Sequence, residues 1–530
     1  MTDPIIIVDA LSAGIGKRLS SRDSIGCGPR AVAGIFESQK LSCRIVRSES
    51  IIKSPRMIRR FSHVAISGMT MDLPIVKQIV LIWRKHNRSG RIILGGPIAS
   101  DTIPILKSVK PDVLVWGEGE ETLTELIKKN YLDEDIDLSV VQGIGFFEGA
   151  IPKVTPVRAP LLSRTLWKRF FPSTTRIVDY PAYQASKVYV EVIRGCSNYG
   201  RTTLPLPDGR ECTDCSNCTS EDSFQRTICP EEINPGCGFC SVPTVWGPPR
   251  SRETDSIVQE VEELLELGVR RVVLEAPDFL DYFRGSEPLT SPCIPVANID
   301  AIVALVERIQ NLIQIASKEA YLSIENMKAC LFTEEVAKRL SDVIGASSPN
   351  IGLETGSEIH SKQIGKCGTP EDVVRSVRLA RKYGMTPFVY FIYGLPGETE
   401  QTVEESKRIM RLVAEAGAER IILYGFRPLP DSAFAEHPSP SPTDPLSEPL
   451  RIEAARINRE KKVDYVGQHI RGIAAEPSWE RHGYTILYPL GEGPLMTVKG
   501  GWTAGTLLDI EVVEVLSPGL LLGEVIRSEE

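Results

Sequence analysis

Twice along this chain of 530 residues, short β-branched runs alternate with stretches whose apolar positions recur at helical spacing. In the first block, strand-like runs at 5–8, 44–46, 63–67, 91–94 and 113–115 are interleaved with helical periods at 30–38, 75–84 and 103–109. That alternation predicts an α/β fold, here a doubly wound parallel sheet wrapped by helices. The second block repeats the pattern with strands at 188–193, 269–275, 320–324, 350–354, 386–392 and 420–426 and five helical periods between them. Six strands with five helices predict a partial (β/α) barrel, whose chemistry belongs at the C-terminal strand ends. Beyond a short helix near 451–459, the tail alternates apolar and polar residues with glycine punctuation and predicts a small C-terminal β-barrel. The expected organisation is therefore a sheet domain at 1–150, a basic connector at 151–185, a barrel at 186–436 with an insertion at 197–236, a stiff Pro-rich linker at 437–458 and the tail barrel at 459–530.

The length asks for two to four domains, and 42% hydrophobic residues suffice to bury their cores. No run of about eighteen apolar residues occurs, and Met1 to Pro4 followed by an apolar run reads as the approach to a first strand rather than a signal sequence. A cytoplasmic protein without membrane insertion is expected. The net charge of -8 speaks against a broadly basic nucleic-acid surface, so any RNA contact has to be local. Twelve cysteines in a reducing compartment point to metal rather than disulfides.

Three of those cysteines carry the chemistry. Cys196 follows the apolar run 188–193, and Cys237 and Cys240 stand in the glycine-framed stretch Gly236-Cys237-Gly238-Phe239-Cys240. Thiolates are soft ligands for iron-sulfur clusters, and three of them leave one iron of a 4Fe-4S cluster open. The words Arg194-Gly195-Cys196 and Gly238-Phe239-Cys240-Ser241-Val242-Pro243 resemble the CxxxCxxC signature of the radical S-adenosylmethionine superfamily, with about forty residues inserted after its first cysteine. The resemblance implies that S-adenosylmethionine binds the open iron. It also implies that the strand ends of the barrel supply its contacts. Glu275-Ala276-Pro277-Asp278 resembles the amino-group motif, in place of the common Gly-Gly-Glu; Ser323 and Glu325 end the next strand; Glu354, Gly356 and Ser357 resemble the ribose-binding strand end; and Gly394 opens a strand-to-helix turn common in the superfamily.

The first sheet resembles the cobalamin-binding domain that precedes many such barrels. Its predicted strand ends carry Ser67-Gly68, Gly95-Gly96 and Gly117-Glu118-Gly119-Glu120, loops in which glycine lets a backbone approach a ligand closely. In mutase-type relatives a histidine after the first strand coordinates cobalt; Leu11 stands in that place, so cobalt would lack a protein ligand. The insertion holds Cys212, Cys215, Cys218 and Cys229, a spacing that resembles ferredoxin clusters and equally suits tetrahedral zinc or a single iron. The remaining five cysteines, Cys293, Cys330 and Cys367 among them, read as core or incidental thiols.

In the tail, 463–468, 505–510 and 522–524 are spaced as in the TRAM domain, the RNA-binding barrel that ends tRNA methylthiotransferases. Those enzymes carry three further cysteines in their N-terminal domain, whereas only Cys27 and Cys43 precede Cys196 here. Together the resemblances imply a radical S-adenosylmethionine enzyme of the transferase class that methylates, or transfers a related group to, an unactivated carbon of RNA, most plausibly tRNA. It would use cobalamin and draw electrons from a ferredoxin or flavodoxin. Two alternatives stand beside this: radical carbon-carbon bond or ring formation on a lipid or peptide without cobalamin, and a non-catalytic RNA-binding iron-sulfur sensor.

Overall fold

The structure, a computed structural model, describes residues 4–18, 21–87, 89–315, 319–517 and 519–529; the stretch Met1 to Asp3 read above lies outside them. The chain forms two compact units, Met1–Tyr183 with Gln259–Gly268, and Gln184–Val258 with Val269–Glu530. No described helix is long and apolar enough to cross a membrane.

The first unit is built on a seven-stranded sheet. Five parallel strands stand in the order Cys43–Arg47, Ile5–Asp9, Val64–Ser67, Ile92–Gly95 and Val113–Val115. Their near-continuous Ile, Val and Leu content fits strands covered on both faces: Ile6, Ile7, Val8, Ile92 and Leu114 are fully buried. An antiparallel pair, Ile144–Glu148 and Ile151–Val154, extends the sheet at one edge. The sequence reading placed 151–154 in the connector, because Ile151 and Val154 face solvent on an edge strand and carry no core signal. The parallel order, second-first-third-fourth-fifth along the chain, reverses direction between Ile5–Asp9 and Val64–Ser67. Open α/β sheets bind ligands at such a switch point, outside the carboxyl ends of the strands.

The second unit holds two structures. Parallel strands Lys187–Glu191, Arg271–Glu275 and Tyr321–Ile324 are joined in register, and so are Asn326–Met327, Asn350–Glu354, Phe388–Tyr393 and Arg420–Gly425. These are the six expected positions of a partial barrel, with the third strand broken at Glu325. The tail closes into a barrel of five strands, His469–Pro477, Tyr484–Pro489, Leu495–Lys499, Leu507–Ser517 and Leu520–Glu529, around Leu487, Met496, Val498, Leu508, Ile510 and Leu521.

Helix Ser447–Val463 occupies most of the stretch read as linker. Leu450, Ala454 and Ile457, at helical spacing, join the core beside Val413 and Ile421. The carboxamide of Asn458 completes the outermost strand: its Nδ2 donates to the Ile421 carbonyl at 2.7 Å and its Oδ1 accepts from the Ile421 N–H at 2.9 Å. An open barrel edge is thereby covered rather than left as a template for another chain.

The tail barrel docks at the amino ends of the central strands. Glu492 pairs with Lys187 at 2.8 Å, Gly491 lies against the Tyr321 ring, and the Tyr465 hydroxyl donates to Glu419 at 2.7 Å, just before the last strand. The cysteines of the signature follow the carboxyl ends, so a strand length of about 16–20 Å separates the two. For the Asn458 clamp, Asn458→Ala should expose the Ile421 amide and speed its hydrogen exchange roughly tenfold while core amides of the tail barrel are unchanged. Unaltered exchange at Ile421 would mean that the clamp contributes nothing.

Candidate active site

The site is assembled by a neck that brings Cys196 and Cys237 together across the insertion. The Gly236 N–H donates to the Gly200 carbonyl at 2.7 Å and closes the excursion. Within the neck the side chain of Asn198, 3% exposed, donates to Cys237 Sγ at 3.3 Å and to the Gly365 carbonyl at 3.0 Å, while its backbone N–H lies 3.5 Å from Cys196 Sγ. Asn198 thus contacts both sulfurs, and no motif in the sequence had singled it out. Cys240 follows on a tight turn whose N–H donates to the Cys237 carbonyl at 2.8 Å. Two glycines are dictated by close approach. Gly195 has φ +95, and a Cβ there would lie 2.4 Å from the Pro248 carbonyl; a Cβ on Gly238 would lie 2.4 Å from the Phe434 ring.

Burial pushes the Cys196 thiol up to about 12 and raises those of Cys237 and Cys240, with Lys328 opposing the shift at Cys196 and Lys366 at the other two. Left unliganded these thiols stay protonated, so a metal has to displace the protons. Three sulfurs with two ammonium groups close by fit an iron-sulfur cluster, whose sulfurs carry net negative charge.

Beside Cys196 lies a buried ion network. Lys328 Nζ donates to Asp278 Oδ2 at 2.9 Å, to Asp281 Oδ2 at 2.9 Å and to Ser197 Oγ at 2.7 Å, and Arg284 pairs with Asp281 at 2.7 Å. Two carboxylates and two cations balance, which is the condition under which such groups tolerate burial. Asp278, read as a cofactor contact, is 1% exposed and also accepts the Lys328 N–H at 3.0 Å, so its carboxylate is committed to this network. Glu275 sits half-buried at its strand end, and its carbonyl accepts the Val192 N–H at 2.9 Å.

Ser323 is buried on the next strand; Glu325 stands just past it, its carboxyl raised by burial despite a hydrogen bond from Tyr189. Glu354 is the informative one. It adopts φ +70, a conformation uncommon for any residue but glycine, at a bulge where the register with Phe388–Tyr393 shifts. Strained backbone of this kind clusters at functional sites, and bulges re-aim side chains. Lys366 Nζ donates to Glu354 Oε1 at 2.9 Å, which draws the carboxylate toward the Cys240 side of the cavity. Gly356 serves a different close approach from the one read in sequence: a Cβ there would lie 2.5 Å from Ser406 Cα on helix Glu400–Glu415. Ser357 caps helix Glu358–Gln363, and His360 on that helix joins Thr355 to the Pro396 carbonyl. Gly394, at φ +73, is pressed against Pro440.

The insertion is organised by Arg201, only 7% exposed. Its guanidinium donates to the carbonyls of Ile233 at 2.8 Å, Arg226 at 3.0 Å and Thr227 at 3.2 Å and lies 3.2 Å from Cys218 Sγ. Cys212, Cys218 and Cys229 are half-buried and Cys215 exposed. They are not drawn into a group with all sulfurs within 4.8 Å; among the described residues Cys293, Cys330 and Cys367 alone form one.

In the sheet unit the loops at the switch point are tied together by Asp72, which accepts the N–H groups of Gly14 at 2.7 Å, Met69 at 2.9 Å and Ser12 at 3.0 Å. Arg18 locks the first loop from behind, donating to Asp9 and to the Leu11 carbonyl at 2.9 Å each. Gly68 and Gly96 lie face to face, a Cβ on Gly96 falling 2.7 Å from the Gly68 carbonyl, while Gly28 faces Ser67. Gly95 ends its strand, Gly117 is pressed against Val157, and Gly119 and Glu120 open helix Gly119–Lys128. Ile15, Met69 and Met71 are left 78%, 38% and 40% exposed on the tied loops.

Residues 229–434 match the radical S-adenosylmethionine superfamily. The chain carries a radical S-adenosylmethionine domain, of a class that works with a 4Fe-4S cluster and S-adenosylmethionine. It belongs to one family with the uncharacterized protein MK0932 of Methanopyrus kandleri, to which it is 38% identical over 533 residues, covering 99% of this chain and 97% of that one. The tRNA-2-methylthio-N(6)-dimethylallyladenosine synthase of Cronobacter sakazakii is a more distant relative, 25% identical over 57% of this chain and 61% of its own. In fold the chain is similar to the radical S-adenosylmethionine methyltransferase TsrM from Kitasatospora setae, solved with cobalamin and a 4Fe-4S cluster bound, at a TM-score of 0.57 and 15% identity over 82% of this chain and 77% of that one.

Glu398, in the turn after Gly394, has its carboxyl pushed up to about 7 by burial, against the Gly394 N–H that it accepts. A carboxyl raised from 4.5 to about 7 destabilises the fold progressively as pH rises through that window. Glu398→Gln should therefore leave the unfolding free energy from urea titration unchanged near pH 4 and raise it above pH 7, by at most about 3 kcal/mol. Equal gains at both pH values would show that the carboxylate charge is not the cause.

Proposed function

We propose that Cys196, Cys237 and Cys240 hold the 4Fe-4S cluster of an enzyme that transfers a methyl or related group to an unactivated carbon of RNA, with cobalamin held on the N-terminal sheet. The observation that carries this reading is the convergence of three half-buried cysteines, from either side of the insertion, beyond the carboxyl ends of the barrel strands. When bound, the cluster, S-adenosylmethionine and cobalamin supply hydrogen abstraction and a transferable methyl group. What the chain contributes is placement. Glu354, fixed by its bulge and by Lys366, accepts hydrogen bonds from ribose hydroxyls, with Ser357, Glu275, Ser323 and Glu325 lining the neighbouring strand ends. Asn198 donates to a cluster sulfur, which raises the ease of reduction. The neutral network around Lys328 keeps the floor of the site rigid and free of water.

For cobalamin, the support is the switch-point geometry: Gly68 and Gly96 bring two strand-end loops into backbone contact, and Ile15, Met69 and Met71 offer apolar surface to a large ring. Leu11 leaves cobalt without a protein ligand. The insertion cysteines, with the uncompensated Arg201 guanidinium next to Cys218, bind a second metal, either another iron-sulfur cluster or a tetrahedral zinc or iron ion. A ferredoxin or flavodoxin supplies the electron.

RNA as substrate rests on the tRNA-modifying activity of the Cronobacter relative and on the TRAM-like strand spacing of the tail. The tail sits at the far ends of the strands, so a substrate held there must also span about 16–20 Å to reach the cysteines, which a folded tRNA does and a small metabolite does not. Its cations are few. Arg471 is paired with Glu319 and Asp509, and burial pulls the Lys462 ammonium down to about 8, so Lys461 is left as the more available of the three. Binding should be modest with a shallow salt slope.

Cys237→Ala should abolish release of deoxyadenosine from S-adenosylmethionine; full cleavage by that variant would overturn the cluster assignment. For the substrate, tRNA binding by the full chain is to be compared with a chain ending after Asp464, which retains the helix that covers the barrel edge. The full chain should bind more tightly across a salt range, and equal binding would show that the tail does not select RNA.

A further inference from the structure

Three cysteines outside the signature and outside the insertion meet on the same end of the barrel. Cys293 lies in the long loop after strand Arg271–Glu275, Cys330 in the turn Ala329–Leu331 after Asn326–Met327, and Cys367 in the loop that follows Asn350–Glu354 and helix Glu358–Gln363. Three consecutive strand ends thus deliver one thiol each. Their sulfurs lie within 4.8 Å of one another, and Cys293 and Cys330 are joined as a disulfide.

Each thiol is held by its own supports, independent of the sulfurs. Arg284 pins the Cys293 loop by donating to the carbonyls of Ser291 and Pro295 at 2.7 Å each. Ser376 Oγ and Arg375 Nη2 donate to the Ala329 carbonyl at 3.2 and 3.1 Å and fix the turn that carries Cys330. Cys367 is flanked by Lys366, anchored on Glu354, and by Gly368, whose φ of +78 turns the loop beside Cys330. Such preorganised placement is what a metal site requires. Reduction has to part the Cys293 and Cys330 sulfurs to the separation of about 3.8 Å that two thiolates take on one tetrahedral ion with bonds of about 2.3 Å, and Cys367 Sγ already lies within 4.8 Å of both.

We propose that in the reduced protein Cys293, Cys330 and Cys367 bind a single thiophilic divalent ion, and that oxidation of the Cys293–Cys330 pair to the disulfide releases it. The steps balance. A dithiol reductant gives two electrons and two protons to the disulfide and becomes a disulfide itself; the three thiols then pass three protons to solvent as the ion binds. A divalent ion with three thiolates carries one net negative charge, next to the ammonium groups of Lys328 and Lys366, and keeps a fourth position open for an outside ligand. This site uses none of the thiols assigned to the cluster, although Cys367 lies near Cys237 and shares Lys328 and Lys366 with the signature cysteines.

The test uses the full chain, reduced by dithiothreitol without oxygen and titrated with cobalt(II) as probe, in parallel with the Cys293→Ser, Cys330→Ser, Cys367→Ser triple variant. The parent should take up one more equivalent than the triple variant, with a stronger thiolate-to-cobalt charge-transfer band, and a disulfide-forming oxidant should remove that excess equivalent. Cys367→Ser alone, which keeps the pair, should already lose it. Equal cobalt uptake by parent and both variants, or an excess equivalent that survives formation of the Cys293–Cys330 disulfide, would overturn the proposal.

Discussion

The closing of a 35-residue excursion, with Gly236 donating to the Gly200 carbonyl at 2.7 Å, is the contact on which the rest of the site depends. Closing such a loop costs about 3 kcal/mol of chain entropy, a cost that grows only slowly with length. The Gly236 bond, the two Asn198 side-chain bonds and the burial of Phe434 against Gly238 offset it within the range that single hydrogen bonds and one apolar side chain supply. A long insertion between the first two cysteines of the signature is therefore physically cheap once the neck is tied. Its interior is then free to carry four more thiols, of which Cys218 lies against Arg201.

The far side of the same cavity is held by charge. Asp278, Asp281, Lys328 and Arg284 form a neutral, almost fully buried group that links the loops after two strands to Ser197, which lies next to the first cysteine in the loop after a third. Removing any one member leaves an uncompensated buried charge, a loss of about 3–5 kcal/mol, so this network specifies how the loops sit. Thiols and ammonium groups gather on one end of the strands, and the tail barrel docks at the other. Chemistry and docking are separated by the length of the strands, which favours a substrate larger than that distance.

Much of this was legible in the sequence because parallel strands buried on both faces are written as unbroken aliphatic runs. Every strand of the first sheet up to Val113–Val115 and all six of the central barrel stood out for that reason. The hairpin Ile144–Glu148 and Ile151–Val154 did not, since its outer strand faces solvent and lacks that signature. Helix Ser447–Val463 was legible only as a shorter helix near 451–459, because the prolines just before it mask its first turn, although Leu450, Ala454 and Ile457 carry its buried stripe. The signature cysteines were visible as words, whereas Asn198 was one polar residue among many until the fold set it between two sulfurs. Asp278 looked free because its partner, Lys328, is 50 positions away in the chain. The same distance concealed the group of Cys293, Cys330 and Cys367, which lie on three separate loops.

We assign the cluster with the open iron to Cys196, Cys237 and Cys240, not to the insertion. Electron paramagnetic resonance of the reduced protein in which Cys212, Cys215, Cys218 and Cys229 are all replaced by Ser separates the two. A single 4Fe-4S signal that changes shape when S-adenosylmethionine is added is expected. A protein whose remaining cluster ignores S-adenosylmethionine, or that holds no cluster once the insertion thiols are gone, would contradict it.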